Sequence, residues 1–193
     1  MPRPSQIDKK RKELLPVIAK AFSELGYHRA TTAELARRSG VRENILYRLW
    51  HDKKDMFIAS IDHVFQNSVE VWTRIGRGRG KAFSPEAVLE YESEHLGEFG
   101  NYRLVFAGLT ETDDPEIREA VARLYKNFHS FIVRRLADGA GKPRGAAASS
   151  PELAAWALIG LGTVFTIGRE LKLMDSKTRR RLLADVGKGL LTR

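Results

Sequence analysis

The chain has 193 residues, contains no cysteine, and carries 33 Lys and Arg against 24 Asp and Glu, a formal charge of +9. The absence of cysteine excludes disulfides, thiolate catalysis and Cys-ligated metal sites. Charged residues occupy the N-terminus where a signal peptide needs an apolar segment, so we expect a cytoplasmic protein. The longest mostly apolar stretch, the 16 residues 153–168, is shorter than the about 20 residues of a membrane span. It is predicted to be a buried helix.

Positive charge is concentrated near the N-terminus. Residues 1–55 hold 13 Lys and Arg and 7 Asp and Glu, a net charge of +6, whereas residues 56–193 hold 20 and 17. This distribution predicts a basic N-terminal part that contacts nucleic acid or an anionic membrane surface, joined to a nearly neutral remainder. A solvated basic face without a partner is the alternative.

The first predicted helix spans residues 8–25, where apolar residues recur at steps of three and four. Gly26 is expected to end it as a C-terminal cap. Pro16 interrupts the pattern, because proline removes a backbone hydrogen bond and disfavours a helical residue before it. We therefore expect a kink at Pro16 or a helix that begins near it.

Two short helices follow. Thr31 and Glu34 have capping-box spacing, in which the hydroxyl accepts from the Glu34 amide and the carboxylate reaches back to the cap. The helix that they begin is expected to run to Ser39 and to stop at Gly40. The second short helix is predicted over residues 43–50, and a longer helix is predicted over residues 53–75.

The glycine-rich segment 76–85 interrupts the helical periodicity. Asp114, Ser150 and Asp175 are expected to cap later helices. Five further helices are predicted over residues 85–98, 101–110, 115–137, 152–171 and 175–191. The prediction is therefore an all-α protein of about nine helices. Its N-terminal three-helix part is residues 1–55 and its helical remainder is residues 56–193.

The two short helices and the turn at Gly40 and Val41 have the form of a helix-turn-helix, although plain packing in an all-α core gives the same pattern. The segment TTAELARRSGVRENILYRLWHDKKDMF resembles the N-terminal signature of the TetR family of transcriptional regulators. The preceding LLPVIAKAFSELGY is similar to that family's first helix. The resemblance implies a DNA-binding head at residues 1–55 and an effector-binding and dimerisation body at residues 56–193.

Thr31 and Thr32 lie at a helix N-terminus, whose free amides suit a phosphate. The resemblance implies that Tyr47 and Lys53 hold the DNA backbone. Positive charge nearby is added by Arg37, Arg38 and Arg48. The residues predicted to bind DNA are Thr31, Thr32, Arg42, Glu43, Asn44, Tyr47, Arg48 and Lys53.

Arg42, Glu43 and Asn44 occupy the exposed start of the predicted recognition helix. Arginine can bind guanine bidentately and asparagine can do so with adenine, so Arg42 and Asn44 are the base-reading candidates. The family often has Ser or Thr in place of Arg42, and arginine is a poor cap that costs about 1 kcal/mol. A solvated helix end is the alternative for each residue. Trp50 is predicted to pack inward.

The body carries no catalytic signature, so we predict neither an enzyme nor a cofactor. Glu92 and His95 lie three residues apart on one predicted helix face, as in carboxylate metal sites, but such sites need a second pair. No metal is therefore predicted.

Aromatic residues at helical spacing usually form a core, but TetR-like architecture implies an effector pocket among the same helices. Glu92, Glu94 and His95 nearby would suit an apolar ligand with a cationic or hydrogen-bonding group. The predicted effector-binding residues are Trp72, Tyr91, His95, Tyr102, Phe106, Tyr125, Phe128 and Trp156.

Small residues in the helix over 152–171 would let a partner helix approach closely, and the resemblance implies that the last two helices form a dimer bundle. Packing within one subunit is the alternative. The predicted dimer contacts are Ala157, Leu161, Val164, Gly168 and Leu171.

The sequence thus predicts a homodimeric repressor that binds a palindromic operator in double-stranded DNA and is released by a small molecule, with the helix over 53–75 as the lever. A DNA-binding regulator without an effector is the first alternative. An all-α enzyme and a membrane-surface protein are the others.

Overall fold

The computed structural model describes residues 5–77, 85–95, 101–139, 150–182 and 185–186. The described residues are helical apart from caps and turns, and the all-α prediction is confirmed. Their nine helices are α1 (Gln6–Arg29), α2 (Thr32–Arg38), α3 (Glu43–Leu49), α4 (Lys53–Arg77), α5 (Pro85–His95), α6 (Asn101–Thr110), α7 (Pro115–Gly139), α8 (Pro151–Glu170) and α9 (Ser176–Leu182).

Some sequence predictions fall outside this described part. They are the glycine-rich boundary at residues 78–84, the end of the fifth helix beyond His95, the loose stretch at residues 140–149 and the end of the last helix at Leu191.

Helix α1 begins ten residues before Pro16 and continues through it, so the prediction that a helix begins near Pro16 is wrong. Within α1 only Gly26 has non-helical backbone angles, with φ of 76°. Pro16 is exposed, so water can bind the carbonyl group that loses its intrahelical partner. The interruption of α1 therefore lies at Gly26, whose missing side chain permits a positive φ.

The predicted helix caps are largely confirmed. Thr31 Oγ1 accepts from the Glu34 amide at 3.2 Å, and Asp114 Oδ1 accepts from the Glu116 amide at 2.9 Å. Ser150 and Asp175 cap α8 and α9 in the same way. The reciprocal half of the first capping box is wrong, because the Glu34 carboxylate binds two arginines instead.

The described residues divide into two compact units. The first contains residues 5–66 and 101–124, so α6 and the first part of α7 pack with the three N-terminal helices. Its centre consists of fully buried side chains from six helices: Ile18, Phe22, Leu35, Leu46, Phe57, Ile61, Leu104, Ile117 and Leu124. The boundary predicted between residues 55 and 56 therefore lies inside this unit.

Close helix packing in the first unit depends on Gly108. A Cβ atom there would lie 2.8 Å from Val121 Cγ2 and 3.3 Å from Ile61 Cδ1. The glycine lets α6 approach α7 and α4 more closely than a larger residue would allow.

The second unit contains residues 67–77, 85–95, 125–139, 150–182 and 185–186. Its helix α8 is the one helix of the described residues that is long and apolar enough to span a membrane, a test that core helices of soluble proteins also pass. Only 28% of its apolar window is buried, so the prediction of a buried helix is wrong. Large apolar side chains along one side of α8 are exposed instead.

Candidate nucleic-acid interface

Helices α2 and α3 form a helix-turn-helix. The turn at Ser39, Gly40 and Val41 is tight because Gly40 adopts a φ of 64° and the Val41 amide donates to the Ala36 carbonyl at 3.1 Å. Leu46 of α3 is fully buried, and Trp50 directly after it is 5% exposed. The inward packing predicted for Trp50 is confirmed, and the opposite side of α3 faces solvent.

The exposed side of α3 carries the predicted base-reading residues. Arg42, Glu43, Asn44, Tyr47 and Arg48 are all exposed. Arg42 takes the N-cap position with extended backbone and makes no capping hydrogen bond. Within the part of the chain that the structure describes, the side chains of Arg42, Asn44 and Arg48 make no hydrogen bond or ion pair. These groups are therefore available to a partner without first breaking an internal contact.

Tyr47 connects the two helices of the motif. Its hydroxyl donates to Thr32 Oγ1 at 3.2 Å, and its side chain is 51% exposed. This bond holds the phenol beside the N-terminus of α2, where Thr31 is already engaged as the cap. Tyr47, Thr32 and the first amides of α2 thus share one exposed position.

Two predicted sources of positive charge are paired with carboxylates. Arg37 donates to both carboxylate oxygens of Glu34 at 2.7 Å. Arg38 donates to Glu34 at 2.7 Å and also contacts Glu24. These hydrogen bonds from Arg37 and then Arg38 lower the pKa of Glu34 to about 2. The paired carboxylates partly neutralise the two arginines, which therefore contribute less positive electrostatic potential to the interface than Arg42 and Arg48.

Lys53 is directed toward α1. Its Nζ donates to the Tyr27 carbonyl at 3.1 Å and lies 4.3 Å from the centroid of the Tyr27 ring. The side chain thus fixes the start of α4 against the end of α1, and contact with a phosphate would require it to share or exchange these partners.

One contact that supports the motif has no signal in the sequence. Arg11 lies within the basic run KKRK of α1, and its Nε donates to the Leu49 carbonyl at the end of α3. This bond ties the recognition helix to α1. The sequence of a basic run does not show which of its side chains turns toward the protein and which ones remain in solvent.

His51, Asp52 and Asp55 form a group with metal-ligand chemistry among the described residues. Their hydrogen bonds belong to the start of α4, because the Asp55 amide donates to Asp52 at 2.8 Å and the His51 amide donates to Asp55 at 3.1 Å. The bond from the Asp55 amide is the largest cause that lowers the pKa of Asp52. This arrangement is a reciprocal helix cap, and it accounts for the acidic pair without a metal.

The predicted effector-binding residues are divided between the units. Tyr102 and Phe106 lie together in the first unit, with ring centroids 6.3 Å apart. In the second unit the Trp72 ring lies 5.4 Å from Phe128, and Tyr91 stacks on His95 at 4.1 Å. Tyr125 of the same unit is part-buried, and burial raises the pKa of its hydroxyl.

Sequence reasoning placed Glu92 near this second-unit group but missed its contact with Trp72, and it missed Phe131. The Trp72 indole donates to Glu92 Oε1 at 2.5 Å, and the Phe131 ring lies 5.8 Å from Trp72. Helical spacing gives the signal for Phe131, which follows Phe128 by three residues. Trp156 stands apart from the group, since it is 48% exposed and stacks on His129 at 4.7 Å.

The predicted dimer residues occupy different sides of α8. Val164 and Leu171 are exposed, Ala157 is exposed, and Leu161 is part-buried. Gly168 is buried, and a Cβ atom there would lie 3.2 Å from Met174 Cε of the same chain. Steps of three and four residues instead connect an exposed row: Leu153, Trp156, Gly160, Val164, Ile167 and Leu171.

Residues 14–60, which run from α1 into α4, match the family model of bacterial regulatory proteins, tetR family. This segment is a TetR-family DNA-binding domain. The matched segment contains all eight residues predicted to bind DNA, and the protein is a TetR-family DNA-binding transcriptional regulator. Its helix-turn-helix is the family's DNA-binding motif.

Relatives extend the likeness beyond the matched segment. The TetR-family chain is 27% identical over 146 residues to the nucleoid occlusion factor SlmA of Pasteurella multocida, covering 72% of that protein. It is 41% identical over 59 residues to SlmA of Haemophilus influenzae, covering 27% of that protein. A TetR-family regulator from Cytophaga hutchinsonii shares the fold, with a TM-score of 0.77 at 16% identity over 100% of both chains.

Proposed function

We propose that this TetR-family regulator is a homodimeric repressor whose α3 reads a palindromic operator and whose second unit binds a small molecule that releases the DNA. The observation that carries the proposal is the exposed row on α3, where Arg42, Asn44 and Arg48 have no internal partner among the described residues. Two such helices in a dimer would enter major grooves about 34–36 Å apart, or a multiple of that distance.

Arg42 and Asn44 are assigned to base reading and Arg48 to the phosphate backbone. Selection of bound duplexes from random DNA should give a palindromic consensus for the wild type. Arg42→Ala and Asn44→Ala should each lose preference at particular base pairs, at a cost of about 1–3 kcal/mol. Arg48→Ala is the matched control, because loss of a phosphate contact weakens all duplexes alike. Unchanged preference in both base-reading variants would contradict the assignment.

The dimer surface is assigned to the exposed row of α8 that passes through Gly160. Apolar side chains on either side of this glycine would be buried by the same row of a second copy. Gly160 would let the two helices cross closely, since nothing in its own chain lies within 4 Å of a Cβ atom there.

Gly160→Leu should therefore leave the subunit folded and separate the dimer in sedimentation experiments. Gly162→Leu is the matched control, because it lies about 200° around the same helix and its Cβ position is also open. A wild-type monomer, or a dimer that Gly160→Leu leaves intact, would contradict this surface.

Release by a ligand is assigned to the second unit, with α4 as the connecting element. The helix carries Phe57 in the first unit and Trp72 in the second. A ligand changes DNA affinity only if it binds the DNA-competent and incompetent shapes differently. Titration of an operator complex with a metabolite panel tests this. A panel without effect would favour a regulator with no effector, and no enzymatic step is part of the proposal.

A second candidate function is suggested by the 146-residue alignment with the Pasteurella nucleoid occlusion factor. Under this reading, DNA binding would keep cell division away from the nucleoid. Fluorescence microscopy of cells that lack the gene tests it. Septa that form across nucleoids would support the second function, and normally placed septa would refute it.

A further inference from the structure

The second unit contains an acidic side chain among aromatic rings. Trp72 of α4 donates its indole N–H to Glu92 of α5 at 2.5 Å. The same indole lies 5.4 Å from the Phe128 ring and 5.8 Å from the Phe131 ring of α7. Three helices thus bring one carboxylate and three aromatic rings together. We call these four side chains the Trp72 cluster.

The Trp72 cluster is incompletely buried. All four of its side chains keep intermediate exposure, whereas Phe22 and Phe57 in the first unit are fully buried. Aromatic rings that serve only as a core are normally closed off from water, as those two are. The side chains of the Trp72 cluster therefore keep part of their surface exposed to solvent.

The carboxylate of Glu92 lacks a full set of partners. An ionised carboxylate has about four acceptor positions, and among the described side chains Trp72 supplies the single hydrogen bond to it. The surrounding protein raises the pKa of Glu92, and burial is the largest cause. Desolvating an ionised carboxylate is costly unless a positive charge accompanies it.

No cationic side chain of the described residues donates a hydrogen bond to Glu92, although His95 lies near enough for its charge to lower the pKa of Glu92. His95, one turn after Glu92 on α5, bonds through Nδ1 to the Tyr91 carbonyl at 2.9 Å. Because a carbonyl only accepts, Nδ1 carries the proton and the ring is held against its own helix. Arg135 lies over Phe131, 5.0 Å from the ring centroid, and shows that these rings accept a cation.

We propose that the Trp72 cluster binds the positive head of an organic ammonium ion, with Glu92 as counter-ion and the faces of Trp72 and Phe128 as the aromatic wall. The apolar body of the ligand would lie along the remaining part-buried rings. Ring faces attract cations through their quadrupole, and tryptophan does so most strongly. This inference rests on the effector site of the proposed function and names the chemical class of its ligand.

The test compares three probes of similar size by isothermal titration calorimetry: benzyltrimethylammonium, neutral N-benzylacetamide and anionic phenylacetate. The wild-type protein should bind the cation about tenfold more tightly than the neutral probe, as expected for a desolvated cation–π and charge pair. Equal affinity for the neutral probe, tighter binding of the anion, or no binding of the cation at 1 mM would overturn the proposal.

Glu92→Gln keeps an acceptor for the Trp72 indole and removes the charge. It should weaken binding of the cation about tenfold and leave N-benzylacetamide unaffected. Glu94→Gln is the matched control on the same helix, since Glu94 pairs with Arg180 at 2.8 Å. Equal loss in both variants, or no loss in Glu92→Gln, would refute the role of Glu92. The wild-type order of the three probes decides the ligand class even if a variant fails to fold.

DNA release is measured separately, by adding each probe to an operator complex. Release by the neutral or anionic probe alone would leave the proposed regulator intact and overturn the ammonium inference. Binding of the cation without release would support the inference and contradict effector control of DNA binding.

Discussion

Arg42→Ser replaces the residue that begins α3 with a helix-capping side chain. Arg42 has φ of −81° and ψ of 152° and makes no side-chain cap. Thr31, which does cap α2, has φ of −75° and ψ of 155°. Because the two backbones agree within a few degrees, a serine hydroxyl at position 42 can accept from an amide of the first turn of α3.

The expected stability gain is that of an added N-cap, about 1 kcal/mol within a range of about 0.5–2 kcal/mol. For a chain of this size, 1 kcal/mol corresponds to a rise in Tm of about 2–4 °C. Thr31→Ala is the reciprocal control. It removes the 3.2 Å bond to the Glu34 amide and should lower Tm by a similar amount.

The same substitution should weaken operator binding. Loss of one bidentate guanine contact costs about 1–3 kcal/mol, a factor of about 5 to 150 in affinity. The slope of log K against log salt should change little, because a base contact is not a phosphate contact. Thermal unfolding and operator titration measure the two effects. A lower Tm would refute the capping argument, and unchanged operator preference would refute the base-reading argument.

Two further perturbations test the first unit. The pKa of Glu34, about 2, lies below its ordinary value because of Arg37 and Arg38. The stability from this carboxylate is therefore present above about pH 4.5 and lost as the pH falls toward 2. Urea unfolding should show less acid sensitivity in that range for Glu34→Gln, and equal sensitivity would contradict the pairing. Gly108→Ala should destabilise by up to about 2 kcal/mol, since overlap with a valine methyl costs about 1–3 kcal/mol and offsets the helix gain of about 1 kcal/mol. The control Gly162→Ala has an open Cβ position and should be neutral or stabilising, so a Gly108→Ala variant that is more stable than the wild type would contradict the close approach.

Local sequence signals predicted helix ends and turns well where a single residue determines the capping hydrogen bond or the backbone conformation. Thr31 and Asp114 cap their helices as expected, and Gly40 permits the turn through its positive φ. The start of α1 was harder to predict. Proline inside a helix generally destabilises it, but Pro16 is exposed, so water can bind the carbonyl group that loses its helical partner. The cap at Ser5, which accepts from the Asp8 amide at 3.1 Å, determines the actual start.

Contacts between distant segments could not be predicted in the same way. Nothing local shows that Arg11 binds the end of α3, or that Trp72 and Glu92 meet across two helices. Periodicity marked α8 as apolar but did not identify its exposed side. The predicted dimer residue Gly168 is covered by Met174 of its own chain, a contact that depends on how the chain turns after α8. The compact units likewise depend on contacts between distant segments. Helix α6 packs with the N-terminal helices although it is far from them in the sequence.

The number of Lys and Arg residues in the N-terminal part, 13 in residues 1–55, overstates how many cations are available to contact DNA. Arg37 and Arg38 are held by Glu34 and Glu24, and Lys54 is held by Glu116 at 2.7 Å. Each phosphate contact adds about 0.9 to the salt slope of binding, so fewer unpaired cations mean a weaker hold on unrelated sequences. Short visits at such sites would shorten each one-dimensional slide along the chromosome. This regulator would then reach its operator by many brief three-dimensional encounters.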